Sequence, residues 1–576
     1  MERDLIELKR IIINKLVNSG INITPESLEY ILNLKNPQKS LSLIIKELSF
    51  IPNFKSHLTE NILLQISNEK IQKVLKRVIK KKALEGDLLN QSLNIEIESE
   101  TQELDNIIEP ESNNINSQIG KASNSDKDLL NSIEQKFRQS GATKSTTHFS
   151  PIAKNYEAEY EILKDPTGKL YTDGEYSDFY RLTLNKFEKL ESLMKKRFDI
   201  RSTVKIRNLD RFPKENEISL IGLVKDIRQT KNGNYLFALE DLTGIINVLV
   251  RKDLEDQDSI KTIKRTIYDQ MIYVKGFYNK GDKFNNGIIF ANYISKAELP
   301  RDYQPNKSFE PISIALISDT HIGSKEFEEP LFKRFIKFLN GEIGNKKLRE
   351  IAGRVKYLII NGDLVDGIGV YPNQQKDLII SDIYDQYKKA LEFVHQIPEY
   401  IKIFYVSGNH EPVRNAIPRP AVSKKYSLDL LNLNVSCLGN PSLIKTHNVD
   451  TLIYHGESIH DLNLLIHELD INKPIDAMKE LLICRHLAPV YGEKTQIAPL
   501  ETDWLVIDNI PDIFHTGHIH INGSGKYNNI TLVNSGCFQA QTDFMKSFGI
   551  NPTPGIVPII QLDDLKAFEL DLKSNY

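Results

Sequence analysis

Five short stretches of this 576-residue chain place oxygen and imidazole groups directly after apolar runs. Asp319-Thr320-His321 follows ISIALIS, Asn361-Gly362-Asp363 follows VKYLII, and Gly408-Asn409-His410-Glu411 follows IKIFYVS. His455 follows TLIY, and Gly517-His518-Ile519-His520 follows PDIFHT. Short apolar runs of this kind read as buried strands. The ends of such strands are where open α/β sheets place their sites. Carboxylate, amide and imidazole groups without thiolate suit Mn²⁺, Fe²⁺ or Zn²⁺, and the five stretches supply enough ligands for two metal ions. A carboxylate-rich two-ion centre fits phosphate ester chemistry. A phosphodiester is anionic and repels its nucleophile, and two cations about 3.5–4 Å apart neutralise it and stabilise the attacking and leaving oxygens.

The elements that must position these groups lie in residues 305–576, where strand-like and helical stretches alternate. Strands are expected at Ser313–Ile317, Val355–Ile360, Lys402–Val406, Thr451–Tyr454 and Asp512–Phe514, with helices such as Leu331–Leu339 and Ile383–Val394 between the first three. The late extended segments TLVNS and IVPIIQL add a second sheet. The expected architecture is α/β, with two sheets flanked by helices.

Upstream, residues 203–304 read as five strands with a helix near Ser259–Thr266 after the third, and Asn232-Gly233 marks a hairpin. That order fits an OB-fold β-barrel. Such barrels bind single-stranded nucleic acid on aromatic rings. Tyr235, Phe237, Phe277 and Tyr278 are the residues to consider, against the alternative that they fill the barrel core. Residues 146–202 form a connecting segment ending in a helix over Asp178–Arg197. Residues 85–145 are rich in Asn, Ser, Gln and Glu, cannot bury enough apolar surface to fold alone, and read as a flexible linker. Residues 1–84 form a small helical domain. Thr24-Pro25 starts one of its helices. Its last helix, Lys70–Leu84, carries Lys70, Lys73, Lys76, Arg77, Lys80 and Lys81 on one face, which serves either as a solvated surface or as a contact for DNA or protein.

The length implies several domains. A formal net charge of −3 argues against wholesale coating of nucleic acid. The three cysteines, Cys437, Cys484 and Cys537, form no CxxC pair, which speaks for a reduced, cytoplasmic protein rather than a disulfide framework or zinc ribbon. No apolar run is long enough for a transmembrane helix, and the charged start lacks the order of a signal peptide.

Polar groups that merely satisfied a buried core would not fall into the ordered series DxH, GD, GNHE, His, GHxH. The series resembles the calcineurin-like metallophosphoesterase superfamily over about 260 C-terminal residues. The resemblance implies Asp363 as the carboxylate bridging two divalent ions, since an imidazole offers a metal only one lone pair. It implies Asp319, His321 and His520 on one ion, and Asn409, His455 and His518 on the other. His410 is implied as the unliganded helper that polarises the phosphate or protonates the leaving group, and Mn²⁺ as the favoured ion. Asp366 and Glu411 are placed to support the site by hydrogen bonds. His460, close behind His455, suits a site role and a packing role equally. His57, His148, His395, His447 and His467 are expected at the surface or in packing.

An OB-like domain directly before the DxH strand resembles the small subunits of replicative DNA polymerases, above all those of the archaeal family D. Two further blocks carry that likeness: Arg485-His486-Leu487-Ala488-Pro489-Val490-Tyr491-Gly492, and the run from FHTGHIHINGSG through LVNSGCFQAQTDFMKSFGINPTPG. The resemblance implies a metal-dependent 3′→5′ exonuclease acting on single-stranded or mismatched DNA, partnered by a large catalytic subunit that synthesises DNA. The competing readings are a non-catalytic scaffold subunit and a free-standing phosphatase or phosphodiesterase. Arg485 and His486 could hold a DNA phosphate, or form a buried structural pair. The aromatics within Phe538–Pro554 are expected to be exposed and suited to a partner.

Overall fold

The computed structural model describes residues 149–574, apart from 201, 214–215 and 282–286, together with parts of the first 63. The basic helix expected over Lys70–Leu84 and the linker expected over 85–145 lie outside the described residues. The described residues fall into two compact units, divided between residues 144 and 145. In the first, strands β1 (Asn22–Ile23) and β2 (His57–Leu58) pair in parallel. Helices cover Pro25–Leu32 and Pro37–Leu48, and Ile12, Leu16, Ile31, Leu41 and Ile44 are buried together. Pro25 is the first residue of its helix, where its fixed φ suits the turn.

The second unit contributes strand β3 (Tyr160–Lys164) and the helix Tyr176–Lys195 before a closed barrel. The barrel strands are β4 (Glu217–Gln229), β5 (Tyr235–Asp241), β6 (Gly244–Val250), β7 (Met271–Asn279) and β8 (Ile288–Lys296). They close in the order β4-β5-β6-β8-β7, with the helix Gln257–Lys264 after the third. This is the OB arrangement. Gly233 turns the first hairpin at φ 83°, a conformation that favours glycine. Phe237 and Tyr278 are buried in the barrel core, Tyr235 packs half-buried against it, and Phe277 is exposed.

The remaining strands are β9 (Ser313–Ile317), β10 (Val355–Asn361), β11 (Lys402–Val406), β12 (Val435–Leu438), β13 (Ser442–Thr446) and β14 (Val449–Ile453). They continue with β15 (Ile513–Thr516), β16 (Gly523–Tyr527), β17 (Ile530–Asn534), β18 (Ile556–Gln561) and β19 (Ala567–Asp571). One sheet has the order β12-β11-β10-β9-β18-β19 and the other β16-β17-β15-β14-β13-β3. Alternation along the strands decides which residues meet. Ile314, Leu316, Ile359 and Phe404 join Ile444, Ile453, Ile513 and Val533 between the sheets. Ala315, Ile317, Leu358 and Ile360 lie instead with Phe332, Phe335 and Phe393 of the helices Glu329–Leu339 and Ile383–Val394. Leu452, Phe514 and Leu532 pack on Met478 and Leu481 of the helix Pro474–Cys484. Burial on both faces is why these strands read as unbroken apolar runs.

The segment before the barrel is more than the connection expected of residues 146–202. β3 pairs antiparallel with β13 and completes the edge of the second sheet, so the phosphoesterase-like layers do not begin at residue 305. The helix Tyr176–Lys195 wedges Phe187, Leu190 and Met194 against Ile221 and Tyr273 of the barrel and against Val506. Barrel and sheets are also joined by a buried ion pair between Lys296, 3% exposed, and Glu480, 1% exposed. Lys296 also donates to the Arg265 carbonyl at 2.7 Å. Lys296→Met strands the Glu480 carboxylate in this interface and is expected to cost about 3 kcal/mol. The double variant with Glu480→Leu should recover most of that loss, as read by urea unfolding.

Candidate metal centre

The five sequence stretches come together because their strands are neighbours. β9, β10 and β11 run parallel, as do β14 and β15, so the residues after them emerge at matching ends. Asp319 and Asp363 stand two residues beyond β9 and β10, and Asn409 three beyond β11. His455 and His518 stand two beyond β14 and β15. Two motif glycines permit the close approach. A Cβ on Gly362 would meet the His455 ring at 2.3 Å, and one on Gly408 would meet an Asp363 oxygen at 2.2 Å. Asp319, His321, Asp363, His518 and His520 all adopt left-handed backbone, with φ between 50° and 67°. Non-glycine residues hold that conformation at a cost of about 1–3 kcal/mol each, and such strain gathers at functional sites.

The side chains form two groupings that could hold a metal ion, Asp319-His321-His520 and Asp363-His455-His518. In the first, Asp319 Oδ1 lies 3.4 Å from His520 Nε2 and 4.0 Å from His321 Nε2, and the two ring nitrogens are 3.1 Å apart. In the second, Asp363 Oδ2 lies 3.2 Å from His455 Nε2, whose other near neighbour is Asn409 Oδ1 at 3.1 Å. The same Asp363 oxygen is 3.8 Å from His321 Nε2, so Asp363 stands between the groupings. His455 Nδ1 pairs with the Asn361 carbonyl at 2.8 Å and His321 Nδ1 with Asp366 at 3.0 Å. These contacts leave both Nε2 atoms turned to the centre, the arrangement found around metal-binding imidazoles.

Charge in the centre is strongly coupled. Burial alone would push the Asp363 carboxyl up, but the His455, His410 and His321 imidazoles outweigh it and hold it well below the usual range. Burial likewise works against Asp319, which His520 and then His455 draw downward. Burial would lower His455, yet Asp363 lifts it to about 9, and Asp319 raises His520 in the same way. The two carboxylates thus gather positive charge around themselves. Asp319 Oδ1 is buried with no hydrogen-bond partner, which is costly for a carboxylate unless a cation satisfies it. The donor set of carboxylate, amide and imidazole suits a divalent ion, so the residues fit the metal that the resemblance implies.

His410 stands outside both groupings. Its Nδ1 is taken by the Asp366 carbonyl at 2.7 Å, its ring meets His321 edge-on at 4.5 Å, and it lines the open cleft above the centre. A third possible grouping, His321-Asp366-His410, draws on atoms already engaged, because Asp366 also accepts from Gln374 at 2.9 Å. Glu411 supports the centre from below. It is buried and accepts from the backbone N–H groups of Asp363, Leu364 and Gly408 at 3.0, 2.8 and 2.6 Å, and from the Tyr405 hydroxyl at 2.8 Å. His460 joins the cleft lining and lies edge-on to His518 at 5.2 Å. Burial and the nearby Lys494 lower its pKa to about 4, so the ring is neutral at pH 7. Sequence reasoning missed the buried Arg419–Glu457 pair in the cleft wall. Glu457 also accepts from Asn440, whose Oδ1 holds the His455 backbone. No motif marks that pair.

Arg485 and His486 are a correction. Neither lines the cleft. Arg485 caps the helix Pro474–Cys484 in left-handed backbone, and its guanidinium donates to the Ile507 carbonyl at 2.9 and 2.6 Å and to the Asp508 carbonyl at 3.0 Å. His486 Nε2 pairs with Asp503 at 2.9 Å, and its Nδ1 accepts from Ala488 N–H. Burial would raise Asp503, but His486 holds it near 2. Both residues are buried, with Arg485 Nε and Nη2 and both His486 ring nitrogens committed to protein partners, so neither is placed to grip a phosphate in the cleft. Their block is architectural. Pro489 accepts from Lys186 at 2.6 Å and Tyr491 N–H donates to Asp269 at 3.0 Å, which ties helix and barrel to the second sheet. Of the late aromatics, Phe538 is buried, while Phe544 and Phe548 are exposed.

Residues 312–522 match the calcineurin-like phosphoesterase family, which implies divalent metal ions. The chain is 39% identical over 412 residues to the DNA polymerase II small subunit of Methanothermobacter thermautotrophicus, a match covering 71% of this chain and 83% of that protein. The protein of the same name from Methanocaldococcus jannaschii is 39% identical over 413 residues, covering 71% and 68%. That from Pyrococcus abyssi is 38% identical over 434 residues, covering 73% and 68%. With an OB barrel ahead of a phosphoesterase domain and this identity over most of its length, the chain belongs to the family of DNA polymerase II small subunits.

Proposed function

We propose that this chain is a metal-dependent 3′→5′ exonuclease that trims single-stranded or mismatched DNA ends and proofreads for a large catalytic subunit. The observation that carries the reading is the placement of Asp363 between two ligand groupings on the floor of an open cleft. Asp319, His321 and His520 would hold one ion, and Asn409, His455 and His518 the other, with Asp363 shared. Bound divalent ions, Mn²⁺ first and Fe²⁺ or Zn²⁺ as alternatives, would neutralise the phosphodiester and promote attack by water. The protein's own part is positional. Asp366 and the Asn361 carbonyl fix the rings of His321 and His455, and Glu411 fixes the turn that carries Asp363. His410, whose Nδ1–H donates to the Asp366 carbonyl, would act as the imidazolium, its Nε2–H polarising the phosphate or passing its proton to the leaving oxygen and leaving a neutral ring.

The test is copurification with the large subunit, followed by an assay on a 5′-labelled primer with a mismatched 3′ end. The expected result is shortening from the 3′ end in Mn²⁺, stopped by EDTA, with two ions per chain by elemental analysis. A metal-free protein that leaves the primer intact in Mn²⁺ would identify a scaffold subunit. Turnover of small phosphoesters by the chain alone, with no action on DNA, would identify a free-standing phosphoesterase.

A further inference from the structure

The cleft above the centre extends to a wall that the chemistry so far does not use. It has a volume of about 410 Å³ and is lined by Phe544, Phe548 and Lys494 as well as by His321, Asp363 and His410. Phe544 is 60% exposed and Phe548 51%, with ring centres 4.7 Å apart. They sit on the short helix Asp543–Ser547 and its end. That segment is anchored by other residues: Met545 and Ile550 are buried with the second sheet's core, and Gln541 closes the loop by donating to the Ile550 carbonyl at 2.9 Å. The two phenylalanines are therefore held into the cleft without filling the core. Lys494 is exposed, with Nζ 5.3 Å from the Phe548 ring centre.

We propose that Phe544, Phe548 and Lys494 form a stacking platform for the unpaired terminal nucleotides of a single-stranded nucleic acid. The proposal rests on the exonuclease reading for the end that is presented. Aromatic faces take any base, and a lysine beside them follows the phosphate. A base can lie on a ring only after leaving its own helical stack, at a cost that is least for a mismatched or frayed end. The platform would therefore admit unpaired ends and discriminate against paired ones, whatever their sequence.

The test uses the full chain and a fluorescent ten-nucleotide single strand, compared with the same strand carrying abasic sites at its last two 3′ positions. Binding is read by anisotropy in EDTA. The wild type should prefer the base-bearing end by at least about tenfold, a factor that one lost base-on-ring stack alone would give and that loss of both would exceed. In F544L/F548L the ratio should fall to near unity, and in F544W/F548W it should return, with circular dichroism verifying the fold of each. An unchanged ratio in F544L/F548L, or no preference in the wild type, overturns the proposal. So does an F544L/F548L protein that keeps the ratio but loses its large subunit, which would assign the surface to a protein partner. If the ratio collapses while wild type in Mn²⁺ trims no DNA, the platform stands and the exonuclease reading fails. If wild type trims DNA and the ratio does not move, only the platform fails.

Discussion

Asp363→Asn is expected to slow DNA hydrolysis by at least about a thousandfold, or about 4 kcal/mol of transition-state stabilisation, while leaving the fold in place. Asparagine keeps the shape and can still accept the His410 N–H that Asp363 Oδ1 accepts at 2.9 Å. It cannot keep the charge. The atom lying between His455 and His321 becomes an amide nitrogen with no lone pair to share between two ions. The labelled-primer rate measures the loss, elemental analysis should find fewer ions per chain, and circular dichroism should be unchanged. A variant that digests DNA as fast as wild type would remove Asp363 from the reaction.

The second large effect is expected below the centre, where Glu411→Ala strips a buried acceptor from three backbone N–H groups and the Tyr405 hydroxyl. Each buried donor left without a partner costs about 1–3 kcal/mol, so a loss of at least about 3 kcal/mol should appear in urea unfolding. Activity per folded molecule should fall too, because two of those N–H groups belong to Asp363 and Leu364. Glu411→Gln retains one carbonyl oxygen and should fall between wild type and the alanine variant. A cost for Glu411→Ala under about 1 kcal/mol would mean that the turn is held by something else.

Much of this arrangement was legible because burial on both faces writes itself into sequence. β9, β10 and β11 are unbroken apolar runs, and the polar groups after them had nowhere to go but the strand ends. The barrel was legible from its spacing and from Asn232-Gly233. The failures share a cause in tertiary context. β3 is largely exposed along YEILK, so no apolar alternation announced it, and only the open edge of β13 calls for it. Arg485 and His486 looked available because a basic pair carries no mark of burial, and their partners, Asp503 and the Ile507 and Asp508 carbonyls, lie some 15 to 25 residues on. Arg419 and Glu457 meet across two loops that sequence spacing does not connect. Phe544 and Phe548 have the i, i+4 spacing of a core-facing stripe, yet Met545 between them is the residue that faces inward.

The pairing of β3 with β13 also sets a schedule for the growing chain. β3 leaves the ribosome roughly 280 residues before its partner strand, a delay on the order of 15–60 s at about 5–20 residues per second. All five barrel strands emerge within that interval and can close on themselves. The second sheet cannot be completed until long afterwards, so the barrel matures as an insertion within a domain still waiting for its other half. A chain started after the barrel would leave β13 as a bare edge, open to pairing with other chains.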